Sequence, residues 1–286
     1  MSMTAKSQGA PARRRTSDRQ VVVLRDGART TKPDAVVTEE PMEIRAEGPG
    51  QEARTIAVTM RTPGHDFELA VGFLATEGMV GPRGVATVRY CEAVRGEEQR
   101  YNVVTVTLAD RFDEALSRRA MVTSASCGIC GTESIDRLER EVAAADPADG
   151  PWFDAALVRG MPAIVRGSQP TFDRTGGLHA AGLVDATGTA WCVREDVGRH
   201  NAVDKVVGRA VLDGRIPLVS HALVVSGRVS YEIVQKAAMA GVRVLAAVGA
   251  PSSLALETAD RLGMTVVGFV RDGAANVYTH PGRVRG

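Results

Sequence analysis

The spacing of apolar and polar positions changes character about halfway along the chain. From Arg19 to Leu108, apolar residues fall in short β-rich runs at 21–24, 42–45, 55–60 and 102–108, separated by Gly, Pro and Asp. One segment breaks this rhythm. Phe67, Ala70, Val71 and Leu74 recur at helical spacing and Gly78 closes the run, which predicts a helix over 67–77. Strands around one helix predict a small α+β roll.

The second half reads differently. Residues 181–193 predict a hairpin turning at 185–188, followed by a helix from Asn201 to Leu212 with Val203, Val206, Val207 and Ala210 on one face. Next come a strand at 222–225, a helix at 230–240 stopped by Gly241, and a strand at 242–248. A helix at 253–262 stopped by Gly263 and a strand at 265–270 complete the run. Such a βαβαβ order with continuously apolar strands predicts a sheet covered on both faces. The expected fold class is therefore α/β (α+β overall). Its parts are a disordered tail at 1–18, the roll at 19–120, a Cys-containing loop and helix at 121–150, and an α/β domain at 151–286.

Composition narrows the function classes. The chain has 286 residues, 44% apolar and 24% charged, as in an ordinary globular protein. A net charge of +1 argues against duplex nucleic acid or an anionic membrane as partner. Six Phe, four Tyr and two Trp are too few for a base-stacking platform. Four cysteines in a chain this long do not make a secreted disulfide framework. No apolar run is long enough to span a bilayer. The basic Arg13-Arg14-Arg15 lacks the hydrophobic stretch of an export signal, so the cytoplasm is the expected compartment.

The densest chemistry lies at Ser124-Ala-Ser-Cys127-Gly-Ile-Cys130-Gly131. Glycines leave both sulfurs unshielded, and the helical pattern from Thr132 puts the second near a helix N-terminus, where a thiolate is favoured. Five readings compete. A structural zinc site wants four ligands, and a second CxxC is missing. A zinc deaminase wants His-x-Glu ahead of Pro-Cys-x-x-Cys, whereas Ser126 precedes Cys127. A thioredoxin-type dithiol wants a strand directly before the motif, and inert buried cysteines fit poorly between glycines. A sulfur carrier is the favoured reading, with no metal and no permanent cofactor.

Three further segments stand at strand ends. Arg194-Glu-Asp-Val-Gly-Arg-His-Asn-Ala-Val-Asp-Lys205 sets His200 among charges, where it can donate to an anion or relay a proton, or else form a solvated loop capped by Asn201. Ser226-Gly-Arg228 opens a helix as a plausible phosphate cradle. Phe269, Val270, Arg271, Asp272, Gly273 and Ala274 follow the last strand, beyond whose carboxyl end ligands bind in open α/β sheets. Arg271 suits a phosphate and Asp272 a guanine edge; alone, this run reads as a β-turn.

At these residues the chain resembles the formate dehydrogenase accessory sulfurtransferases, the FdhD family. The matching pieces are Ser126–Gly131, Phe172–Ala180, Arg194–Lys205, Ser226–Glu232 and Gly268–Arg271, in order along the chain. The resemblance implies a carrier that accepts sulfur from a cysteine desulfurase through a persulfide. It passes that sulfur to the bis-(molybdopterin guanine dinucleotide) molybdenum cofactor, a bound substrate, for formate dehydrogenase. It also implies a roll followed by a cytidine-deaminase-like domain with a mixed sheet, and a homodimer. By position, Cys127 matches the persulfide cysteine, with Cys130 assisting. Phe269–Ala274 matches the cofactor-binding segment, to which Ser226, Arg228 and His200 are added. A non-catalytic cofactor chaperone and a dithiol reductase are the alternatives.

Overall fold

The computed structural model describes residues 14–91, 101–112, 138, 142, 144–146, 150–271 and 273–286. Cys127, Cys130 and Asp272 lie outside them.

An exposed hairpin, β1 (Thr16–Arg25) and β2 (Ala28–Val37), turns at Asp26-Gly27 with both φ positive. A four-stranded sheet follows, ordered β4 (Arg54–Arg61), β3 (Glu40–Glu47), β6 (Val103–Leu108), β5 (Val85–Tyr90), with helix α1 (Asp66–Thr76) against it. Alternation decides which face meets the helix. Met42, Ile44 and Ala46 of β3 are buried and the residues between them are not. This is the roll that the periodicity predicts.

The second sheet has six strands in the order β13 (Ala274–Thr279), β12 (Thr265–Arg271), β11 (Val244–Ala247), β10 (His221–Val225), β8 (His179–Asp185), β9 (Ala190–Asp196). β10, β11 and β12 run parallel; β8, β9 and β13 are antiparallel to their neighbours. The sheet is mixed, as expected. Helices α4 (Arg199–Leu212), α5 (Tyr231–Met239) and α6 (Ser253–Arg261) cover the face bearing Leu183, Leu223 and Leu245. The other face, with Val184, Val224 and Val244, is covered by α2 (Ala155–Arg166), which β7 (Phe153–Asp154) precedes. The sheet is thus buried on both sides, which is why its central strands carry no polar alternation.

Helix α2 is not among the predicted elements: Pro162 inside it reads as a helix breaker, although its apolar residues recur at helical spacing. Asp154 nonetheless caps its first turn, accepting from Ala156 and Leu157 N–H, and Val158, Met161 and Val165 bury its stripe. A short helix, α3 (Pro170–Thr175), follows. Helix α4 begins two residues earlier than the spacing predicts, so Arg199 and His200 lie in its first turn. β14 (Val284–Arg285) pairs with β7 near the C-terminus.

One core runs through both sheets: Ile44, Val104 and Leu74 belong to the same buried cluster as Leu183, Val206 and Leu223. Its tightest point is the crossing of α1 and α4. A Cβ on Gly72 would stand 1.8 Å from the Asp204 carbonyl oxygen, and one on Gly208 would stand 1.8 Å from that of Glu68. Only glycine permits this backbone approach. Gly208→Ala is expected to destabilise the fold by about 3 kcal/mol or more through overpacking. Gly160→Ala on α2, with open space around its Cβ, is expected to stabilise it by about 0.5–1 kcal/mol. Urea denaturation of both variants measures the contrast.

Candidate functional site

The carboxyl ends of β10, β11 and β12 share one edge with the start of β8 and the end of β9, because Val225 pairs with Ala181 and His179 with Asp196. Three of the segments singled out in the sequence therefore meet at this edge: Asp196–His200, Ser226–Arg228 and Phe269–Arg271. Beside them opens a cleft of about 700 Å³. Its walls come from α2 and α3 (Val165, Arg166, Gln169, Phe172) and from Gly176-Gly177, with His179 and Ser226 at the sheet edge. The Arg166 guanidinium lies 4.5 Å from the centre of the Phe172 ring. Gln169 is 4% exposed, and among the described residues its carboxamide makes no hydrogen bond. The cleft is mostly apolar with a few polar groups, the composition of a small-molecule site.

The dense segment at 194–205 divides into fasteners and free groups. Arg194 grips Glu68 of α1 through two contacts at 2.5 and 2.8 Å. Glu195 accepts from the N–H groups of Thr171 and Phe172, fixing α3 and hence one cleft wall. Asp196 meets the Lys205 ammonium at 2.6 Å and accepts from Thr62 N–H. Lys205 also donates to the Thr62 and Glu195 carbonyls. Asn201 does not cap α4; it donates to the Met60 carbonyl and to Asp196. These residues tie the roll to the edge. Periodicity could not separate them from Arg199 and His200, because both sets look like a charged turn.

His200 faces the Ser230 hydroxyl at 3.4 Å, and His179 faces that of Ser226 at the same distance. Ser226 accepts from Ala180 N–H, so its hydroxyl hydrogen is free to turn toward the cleft. Burial and the Arg199 cation push the His200 imidazole down to about 4, and the same two causes lower that of His179. Both rings are neutral at pH 7. Around Glu68, burial alone would raise the carboxyl, but Arg194 and His65 outweigh it and bring it down to about 2.

The remaining sequence-predicted residues scatter along the edge. Arg228 is exposed at the rim. Phe269 adopts a left-handed φ of 52° and donates its N–H to the Gly249 carbonyl. For a bulky residue this conformation is strained, a common mark of functional segments. Val270 is buried in the core at 1% exposure and is not open to a ligand. Arg271 is exposed and pairs with Ala274 across a tight turn whose Gly273 has φ 83°. Among the described residues no three His, Cys, Asp or Glu side chains gather as a metal site, and no helix is long and apolar enough to cross a membrane.

The buried imidazole makes a pH test. Unfolded, His200 titrates near 6.5; folded, near 4. In between, the unfolded chain holds a proton that the folded chain lacks. Its contribution to stability is thus intact above pH 6.5 and is lost as pH falls toward 4, by about 3 kcal/mol in all. His200→Asn is expected to flatten that slope, read from urea denaturation between pH 4 and 7.

The match to known proteins spans this architecture. The model of the FdhD/NarQ family fits residues 37–285. The sulfur carrier protein FdhD of Mycolicibacterium paratuberculosis is 48% identical over 94% of this chain and 98% of its own length. That of Streptomyces coelicolor is 47% identical, over 94% and 95%. A crystal structure assigned to a formate dehydrogenase accessory protein from Desulfotalea psychrophila superposes with a TM-score of 0.73 at 25% identity. It covers 94% of this chain and 99% of that one. With a family model covering the roll, the cleft and the whole mixed sheet, this chain belongs to the FdhD/NarQ family.

Proposed function

We propose that this chain is a sulfur carrier that takes persulfide sulfur from a cysteine desulfurase and delivers it to the bis-(molybdopterin guanine dinucleotide) molybdenum cofactor, making formate dehydrogenase active. The cleft at the carboxyl edge supports the cofactor half of this reading. Its mostly apolar lining suits a heterocyclic ring, and Ser226 and His179 supply polar groups at its edge. The near-complete overlap with relatives named sulfur carriers supports the sulfur half.

The sulfur step follows from thiolate chemistry. The Cys127 thiolate attacks the outer sulfur of the desulfurase persulfide. The donor's S–S bond breaks, its cysteine leaves as a thiolate, and a Cys127 persulfide forms with no net oxidation. Cys130 assists, by taking over the sulfur, by displacing it as sulfide through a disulfide with Cys127, or by keeping the loop polar. Both cysteines lie outside the described residues, so their roles rest on the CxxC chemistry and on the family membership. The protein works as a soluble cytoplasmic homodimer in this reading.

Cys127→Ala is expected to abolish formate dehydrogenase activity in cells that depend on the variant, whereas Cys130→Ala only weakens it. A gain of one sulfur atom on the Cys127 peptide, seen by mass spectrometry after incubation with a desulfurase and cysteine, is the direct readout. Cofactor retention without that adduct would instead mark a non-catalytic chaperone. GDP is expected to raise the melting temperature, as any native-state ligand does; an unchanged melt at saturating GDP would count against the cofactor site.

A further inference from the structure

We infer that Arg199 is the anion anchor of this site: together with the imidazoles of His179 and His200, its guanidinium holds the pyrophosphate of a nucleotide-like ligand whose flat ring lies in the cleft. The inference deepens the cofactor reading above and rests on it for the identity of the ring.

Four observations converge on Arg199. It makes no ion pair among the described residues, and its Nε is buried without a hydrogen-bond partner. A buried guanidinium nitrogen left unsatisfied is rare and calls for an acceptor. Its side chain lies against the sheet edge, since a Cβ on Gly227 would sit 3.4 Å from Arg199 Cδ and 3.6 Å from His179 Nδ1. Both side chains thus pack against Gly227, which sets the Arg199 cation beside the His179 imidazole that lines the cleft.

The charges around it leave Arg199 without an ion pair. Lys205 is occupied by Asp196, and Lys236 by Asp204 at 2.9 Å. Glu232 of α5 faces both Arg199 and His200, but it makes no ion pair with either and shares a hydrogen bond with Ser230. Helices α4 and α5 both begin here, at Gly198 and Ser230; neither of these residues caps its helix with a side chain, while the Glu232 carboxylate accepts from its own N–H at the start of α5. α2 and α6 are capped by Asp154 and Ser252. The first-turn N–H groups of α4 beside an unpaired guanidinium suit a phosphate oxygen. Arg228, the cation that the sequence suggests for this task, stands exposed at the rim and leaves the inner position to Arg199.

The test measures calorimetric affinities of the full-length chain for GDP, guanosine and inorganic pyrophosphate. Arg199→Met is expected to weaken GDP and pyrophosphate by about 10- to 100-fold, the weight of a charge-assisted hydrogen bond, and to leave guanosine unchanged. Gln169→Leu, in the cleft wall, is expected to weaken GDP and guanosine equally and spare pyrophosphate. Arg199→Lys keeps the charge without the fork; it should fall between parent and Met variant, and it serves if the Met variant does not fold. GDP affinity in Arg199→Met within about twofold of the parent would overturn the anchor while leaving the cofactor reading intact. Pyrophosphate binding that depends on Arg199, without GDP or guanosine binding, would uphold the anchor and sink the cofactor reading. A parent chain that binds neither GDP nor pyrophosphate would overturn both.

Discussion

Two glycines facing each other across a helix crossing set the geometry of this molecule. At Gly72 and Gly208 the backbones of α1 and α4 approach so closely that neither position admits a side chain. Backbone contact of this kind fixes both the distance and the angle between helices, because there are no flexible side chains in between to absorb error. α1 belongs to the four-stranded sheet, and α4 opens at the carboxyl edge of the six-stranded sheet. The crossing therefore sets where the roll stands relative to the cleft.

Buried charge then sharpens what the glycines begin. Arg61 holds Asp66 through two 3.0 Å hydrogen bonds at the start of α1. Lys205 links the loop after β4 to the end of β9, and Lys236 ties α5 to Asp204 on α4 and to Thr76 of α1. Burying such groups gains little net stability, but once buried each demands its own partner in one geometry. The three strand-end charges of β9 do this in three directions: Arg194 to the roll, Glu195 to the cleft wall, Asp196 to α4. The edge carrying His179 and Arg199 is held on every side, so the groups left without partners stand on a rigid frame. Preorganisation of that kind lowers the ordering cost when a ligand binds.

Much of the architecture was legible from periodicity. The roll, the helix at 67–77 and the alternation of strand and helix from 222 to 270 follow from apolar spacing, since these elements bury one stripe or two faces as the period dictates. Helix α2 carries a helical apolar stripe, but Pro162 inside it reads as a breaker, and its role emerges only when Val158, Met161 and Val165 meet the second face of the sheet. Among site residues, Ser226 and His200 were legible as polar groups at strand ends. Gln169, by contrast, carries no local signal, and Phe172 is marked only as the first residue of a segment matching the family; both become cleft walls because Glu195 draws the start of α3 against β9.

The amino-acid order by itself determined the elements, the fold class and the presence of a CxxC between glycines, because each depends on neighbours a few positions away. Tertiary structure alone decided which charges in the 194–205 segment are fasteners and which is left over. Ion pairing at 2.6 Å is a property of positions far apart in the chain, and no local pattern distinguishes Lys205, enclosed by Asp196 and two carbonyls, from Arg199, whose Nε finds none.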